Sequence, residues 1–589
     1  MTRALRRLRG AGAVACVAFS LRLYTALASF ETYDERNWTR RSSVFWDALS
    51  SADPGAASSA PRGQVATMPG VTTMWIGTFA RGIWSVGGSL GLWSRRDVAA
   101  LGGGTEFATT RSGLNVAQVC LAVVASVLIG VVVVLLDRWL GRTAALVAGV
   151  LLATEPFLIA HGAVLHTDEL LALFGLASLV TAALVLGIPH PGPWTGRTWA
   201  AALSGCFLAG AGLTKLSALL LLPSLAVLVG WALLDRERRA WVPRLVVVAV
   251  AACAVTMLVL YPALWADPGG EILALRRSAA LGDAGHVQFF RGATMKTPGP
   301  LFYLVTVPLR MTPWLLVGAA ASAVALVCWR STRSVAVALL VMAVPNFVGL
   351  SFLSKQLDRY GLLTMVLAAV AVGAAVSTAL QRLTGEAPAD EAAAGDASAG
   401  EAAEDDAAVE DREPQGREPQ GREPQDREPQ GRELQGRGLR RRRTQARVGL
   451  ALAAGAVVVH AALVSPWGLA YYDPVLGGSK QAEKTVLVGW GEGFESAGPL
   501  VAELEHGHCD GLVVAGYQDG ALRTCGRRAE PGESPDYWVV YVSGRQRYPP
   551  MIAAKVVGRE VVARRVIRGI VYVEIYGPKP DEPEIRPGG

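Results

Sequence analysis

Two acidic pairs are placed where chemistry could be done. Asp34 and Glu35 lie in Tyr33-Asp34-Glu35-Arg36 just after an apolar run, and Asp168 and Glu169 lie in His166-Thr167-Asp168-Glu169 just before another. Carboxylates at the edge of bilayer-length apolar segments are costly unless they are used. Cations stand at comparable positions: Lys215 between two apolar stretches, Arg291 and Lys296 beside His286, Phe289 and Phe290, and Lys355 and Arg359 around Asp358. A carboxylate can take the proton of a weakly nucleophilic hydroxyl. Cations can stabilise the charge on a departing lipid phosphate. Each feature also has a plainer explanation. Thr167 and Asp168 could cap a helix at the positive end of its dipole, Asp34 and Glu35 could be solvated loop residues, and a lone lysine can snorkel.

The elements that must position these residues are membrane spans. Of the 589 residues 51% are hydrophobic and 18% charged, against about 25% charged in ordinary soluble proteins, and the mean hydropathy is +0.33. This excludes a disordered chain and argues against a soluble enzyme. A span needs roughly 20 apolar residues. Eleven are expected, over 11–29, 114–136, 143–161, 168–188, 198–214, 216–234, 245–262, 313–329, 334–353, 361–381 and 448–466. The first follows Arg3, Arg6, Arg7 and Arg9 but lacks a clear small-residue cleavage site, so it reads as an uncleaved span.

With those arginines in the cytoplasm, alternate loops carry Arg138 and Arg142, Arg197, Arg236 to Arg244, Arg330 and Arg333, and Arg440 to Arg443. That satisfies the positive-inside rule. The net charge of +7 therefore reads as topology, and no nucleic-acid partner is expected. Both acidic pairs then share the exterior face with the loops 30–113 and 263–312, as does the C-terminus.

The expected division is a catalytic membrane module over 1–383, a cytoplasmic linker over 384–446, a last helix over 447–466 and an exterior domain over 467–589. The linker repeats Arg-Glu-Pro-Gln-Gly from Arg412 to Gly436, has almost nothing to bury and is expected to be disordered. The tail has Gly/Pro turns between β-rich runs at Tyr537 to Val542 and Val561 to Tyr576, which fits a small α/β domain. Cys16, Cys120, Cys206, Cys253 and Cys328 fall inside spans, whereas Cys509 and Cys525 share the tail and could form a disulfide there.

As a set, several segments resemble the lipid-carrier-dependent glycosyltransferases of the GT-C superfamily, especially the protein O-mannosyltransferase-like family 39. They are Tyr33-Asp34-Glu35, Pro69-Gly70-Val71-Thr72-Thr73-Met74-Trp75, His161 to Leu170, Gly212 to Lys215, Tyr261-Pro262-Ala263-Leu264-Trp265, Lys355 to Tyr360, and Tyr471-Tyr472-Asp473-Pro474 with Gly477-Gly478. The resemblance implies transfer of one sugar (mannose, another hexose or a pentose) from a polyprenyl-phosphate donor to an exterior hydroxyl of a protein, lipid or glycan, with inversion. It assigns Asp34 as catalytic base with Glu35 its neighbour. Asp168 and Glu169 become a second acidic motif that orients the site or holds a divalent ion, Mg²⁺ or Mn²⁺. Lys215, Arg291, Lys355 and Arg359 become candidates for the donor phosphate. Met68 departs from the pattern, because a histidine is expected before Pro69.

A competing reading is a transporter or flippase for polyprenyl-linked glycans. It expects repeated halves and charges near the midplane, which the sequence does not display. A scaffold binding a partner through its tail would leave the acidic pairs unexplained. The orientation has a direct check: in intact cells, cysteines introduced at Ser51 and Ser534 react with an impermeant thiol reagent and one at Ser398 does not. Labelling at Ser398 alone reverses the topology.

Overall fold

The computed structural model describes residues 3–28, 30–58, 69–93, 106–189, 196–384, 429–516 and 525–578. Among them eight helices are long and apolar enough to cross a bilayer: Leu5–Ala28, Arg111–Trp139, Asp168–Leu186, Leu216–Leu234, Val242–Leu260, Arg333–Ser351, Asp358–Leu383 and Arg441–Val464. The chain is a multi-pass helical membrane protein. The other three expected spans form shorter helices, Arg142–Thr154, Arg197–Thr214 and Pro313–Cys328, of 13, 18 and 16 residues. The span expected over 143–161 breaks before Pro156, whose missing N–H cannot continue the ladder. At the break Glu155, 1% exposed, accepts hydrogen bonds from the amide and hydroxyl of Thr312, both at 2.8 Å.

Burial separates central from peripheral helices. The apolar window of Asp168–Leu186 is 78% buried inside the protein, whereas that of Val242–Leu260 is 11% buried. Val247, Val250, Val255 and Val259 on the latter are exposed, as suits a surface facing lipid. In lipid there is little hydrophobic drive between helices, so close packing of small residues must join them. Ala145, Ala148, Ala172, Ala177 and Ala183 are accordingly buried at the centre.

The described residues of the long first loop are largely helical. After helix α1 (Arg3–Ala28) come α2 (Glu35–Ser50) and α3 (Val71–Ser89), packed against each other. The loop over 263–312 carries a hairpin of β1 (Gln288–Phe290) and β2 (Ala293–Met295). Most of the expected linker lies outside the described residues. Its last part differs from expectation, because a helix runs unbroken from Pro429 to Val464. No proline follows Pro429 in that stretch, and Arg, Gln and Leu are good helix formers.

The tail is an α/β domain. Its mixed sheet has the order β4-β3-β5-β7-β6, from β3 (Val513–Gly516), β4 (Arg527–Arg528), β5 (Tyr537–Tyr541), β6 (Glu560–Ile567) and β7 (Ile570–Gly577). β3 pairs in parallel with β4 and β5, and β7 runs antiparallel to β5 and β6. A disulfide joins Cys509 to Cys525 across a Cα separation of 5.0 Å.

One charge pair lies within the bundle. Arg22 of α1, fully buried, forms an ion pair with Glu169 and lies 3.4 Å from the carbonyl oxygens of Leu152 and Ala153. Removing one member of a buried pair strands the other charge, at about 3–5 kcal/mol. Arg22→Met is therefore expected to lower the thermal unfolding transition of the detergent-solubilised chain sharply. Adding Glu169→Gln should recover most of the loss, and an unchanged transition for Arg22→Met alone would show that the pair carries no such cost.

Candidate active site

The site is assembled where the segments preceding and following several helices meet. At the start of α2 the Glu35 carboxylate accepts hydrogen bonds from the amides of Thr32 (2.8 Å) and Leu165 (2.9 Å) and from the Gln118 side chain (2.8 Å). It is completely buried, and burial raises its pKa above the ordinary carboxylate range. Glu35 thus fastens the start of α2 to the 161–167 segment. It does not line the cavity described below, contrary to its expected place beside Asp34 in the reaction.

That fastening brings Asp34 to His166. Nε2 of His166 lies 3.5 Å from Asp34 Oδ2, and Nδ1 lies 2.9 Å from Asp168 Oδ2. Arg359 spans the same two acids, with Nη2 3.3 Å from Asp34 and Nε 3.0 Å from Asp168, the second contact lacking hydrogen-bond alignment. Lys215 Nζ approaches Asp168 Oδ1 to 2.5 Å and sits 3.4 Å from the Tyr360 ring centroid. Burial pulls the Lys215 ammonium down to about 8 against the opposing pull of Asp168.

The Pro69-Gly70-Val71-Thr72-Thr73 run positions Lys215. Gly70 N–H donates to the Thr214 carbonyl (3.2 Å), and the hydroxyls of Thr72 and Thr214 are 2.7 Å apart. Gly70 has φ +62°, and a Cβ there would come within 2.2 Å of the Trp38 ring, so only glycine fits. Met68 lies outside the described residues.

A residue from the tail domain completes the site. Trp490 Nε1 donates to Asp34 Oδ2 at 3.1 Å, and the Arg359 guanidinium lies 4.2 Å from the Trp490 ring centroid. Trp490 sits in Gly489-Trp490-Gly491-Glu492-Gly493, where all three glycines have positive φ. A Cβ on Gly491 would lie 2.7 Å from the Glu31 carbonyl oxygen, so this loop lies directly on the chain entering α2.

Asp34 opens onto a cavity of about 240 Å³ lined also by Trp38, Arg41, His166, Lys355, Arg359 and Trp490. Its side chain is 35% exposed, unlike the 1% of Asp168. Burial acts to raise the Asp34 pKa, but His166, Arg359 and Trp490 together outweigh it and hold the carboxyl below its usual range. Lys355 has no carboxylate within ion-pair distance among the described residues, and burial beside Arg359 lowers its pKa. Cations outnumber acids here, which suits an entering anion.

Of the expected phosphate-binding residues, Lys355 and Arg359 line this cavity, Lys215 lies behind it on Asp168, and Arg291 does not reach it. Arg291 occupies the exposed turn between β1 and β2, where its amide donates to the Thr485 carbonyl at 2.7 Å. Of the two acids expected to orient the site or hold a divalent ion, Asp168 has both oxygens facing Lys215, His166 and Arg359, and Glu169 faces Arg22. No cluster of three potential metal-ligating residues occurs among the described residues. Trp490, Arg22 and the bridging role of His166 were not read from the sequence. The three alternating glycines around Trp490 were the available signal for the first.

Residues 104–267 match the family of dolichyl-phosphate-mannose-protein mannosyltransferases. The resemblance read from the sequence is thereby shown over the stretch that holds His166, Asp168 and Lys215. No curated protein matches the chain. Among solved structures, ArnT from Cupriavidus metallidurans bound to undecaprenyl phosphate is similar at 14% identity, with 98% of each chain covered and a TM-score of 0.47. The oligosaccharyltransferase AglB from Archaeoglobus fulgidus, in complex with an inhibitory peptide and a dolichol-phosphate, is similar at 12% identity, covering 98% of this chain and 75% of that one, with a TM-score of 0.44.

The close approach at Gly491 predicts a measurable cost. Gly491→Ala should lose about 1–3 kcal/mol and make the 486–493 loop cleavable in limited proteolysis. Gly507→Ala is the control, since φ there is also positive but no atom lies within 4 Å of the added carbon. Equal losses in the two variants would show that the loop does not need the contact.

Proposed function

We propose that the chain transfers a single sugar, mannose or another hexose or pentose, from a polyprenyl-phosphate donor to a hydroxyl at the exterior face of the cell membrane. The observation that carries this reading is a solvent-open carboxylate, Asp34, in a cation-rich cavity backed by His166, Asp168 and Lys215, which fall within the segment matching a mannosyltransferase family.

The chemistry follows from the groups present. Asp34 takes the proton of the acceptor hydroxyl as its oxygen bonds to the anomeric carbon from the face opposite the phosphate. The bond from that carbon to the phosphate oxygen breaks, and its electron pair leaves with the lipid phosphate. Lys355 and Arg359 receive the negative charge that develops there. A carboxylate paired to cations is a poor base. Donor phosphate that draws the field of Arg359 and Lys355 onto itself leaves Asp34 more basic, so base strength rises when the substrate is in place. Lys215 and buried Asp168 hold this arrangement from behind the cavity, and His166 does so from its wall.

Asp34→Asn keeps size and removes the proton acceptor. Turnover is expected to fall by about 10² to 10⁴ while donor affinity stays near the parent value. Asp168→Asn should act differently, loosening Lys215, His166 and Arg359 together and so weakening donor binding as well as turnover. Steady-state transfer measured beside donor affinity separates the two, and parent-like turnover in a folded Asp34→Asn chain ends the assignment of the base.

A further inference from the structure

Next to the cavity that holds Asp34 lies a second, of about 70 Å³, and Gly489, Trp490 and Arg359 form part of the wall of both. Its lining includes three buried side chains with polar atoms that have no hydrogen-bond partner among the described residues: His161 at both ring nitrogens, Gln288 at Nε2 and Thr306 at Oγ1. They are 2%, 2% and 1% exposed. A buried polar group left unpaired costs about 1–3 kcal/mol. Three converging on one space from three separate segments are difficult to explain as packing.

The charged groups of the same wall have other contacts: Arg359 faces Asp34 and Asp168, and Arg547 Nη2 lies 3.2 Å from His286 Nε2. Arg310 holds Asp358 at 2.6 and 2.8 Å, and Glu492 accepts from the Tyr541 hydroxyl at 2.9 Å. The three orphaned groups are an amide donor, a hydroxyl and an imidazole. The imidazole lies between aromatic rings, with centroids 4.6 Å from Phe157 and 5.6 Å from Trp490. Neutral hydrogen-bonding groups beside aromatic rings suit a neutral sugar, whose hydroxyls need partners and whose C–H face is apolar. With roughly 10–15 Å³ of such space per water-sized group, the cavity holds about five to seven, the scale of the hydroxyl-bearing edge of a monosaccharide.

We infer that this second cavity is the subsite for the transferred sugar, read through His161, Gln288 and Thr306. The inference rests on the glycosyl-transfer reading above. Gln288 lies on the β1–β2 hairpin and Trp490 on the tail domain, so sugar choice is set partly outside the membrane helices. Hydroxyls of an acceptor glycan have the same chemistry, and the test must separate the two sources.

The test uses the full chain in nanodiscs. Undecaprenyl phosphate, its mannosyl, glucosyl, galactosyl and arabinosyl derivatives, and the corresponding methyl glycosides are titrated against the parent and against the near-isosteric variants Thr306→Val and Gln288→Met. At least one lipid-linked sugar is expected to bind about tenfold or more tighter than bare undecaprenyl phosphate. Each variant should lose most of that increment and keep the affinity for the bare lipid, which also reports that it is folded. A parent without any sugar increment, or an increment that survives in both variants, overturns the inference and leaves glycosyl transfer standing. Variants that weaken only methyl glycoside binding move the subsite to the acceptor and overturn the donor assignment. Failure of the folded parent to bind any of the lipid phosphates overturns the functional reading itself.

Discussion

The buried charge of Asp168 is the constraint on which the rest of the site depends. A carboxylate at 1% exposure cannot remain ionised without partners that offset its lost hydration. It draws Lys215 and Arg359 from segments far apart in sequence and holds His166, two residues before it. Because Lys215 follows one helix and Arg359 stands at the start of another, satisfying one charge forces those ends to the start of the helix that carries Asp168. The same arrangement leaves His166 and Arg359 facing Asp34, so the reactive carboxylate is oriented by groups whose first task is to neutralise its neighbour.

Two other buried acids do related work with no access to substrate. Glu35 takes three hydrogen bonds and joins α2 to the 161–167 segment. Glu169 is paired with Arg22 inside the bundle. Each acidic pair therefore divides its labour in the same way: the first residue belongs to the ion network of the site, and the second anchors the backbone that carries it.

The tail domain is built into this end of the bundle. Tyr33 packs edge-on against Phe494 and Tyr541 at 5.9 and 5.8 Å, Phe30 stacks on Trp467 at 5.7 Å, and Arg310 donates to the Leu469 carbonyl at 2.6 Å. These contacts press the glycine-rich loop onto residues 31 and 32 and deliver Trp490 to Asp34. The domain thus shapes both cavities, which accounts for a site whose family-matched segment contains only part of its residues.

Apolar length and local spacing in the sequence determined the multi-pass helical class, the small α/β tail and the placing of Asp34, Asp168, Lys215, Lys355 and Arg359 beside span ends. Those properties follow from a residue's own chemistry and its near neighbours, since span length, turn residues and the cost of a charge at a helix end are local. The tertiary structure alone decided which acid of each pair faces the cavity. It also removed Arg291 from the site and brought in Trp490 from 456 positions away. Neighbouring residues in one segment differ in direction by about 100° on a helix, so their fates depend on which distant groups stand opposite. That partner choice is a balance of buried charges across the whole chain, and no single stretch of sequence contains it.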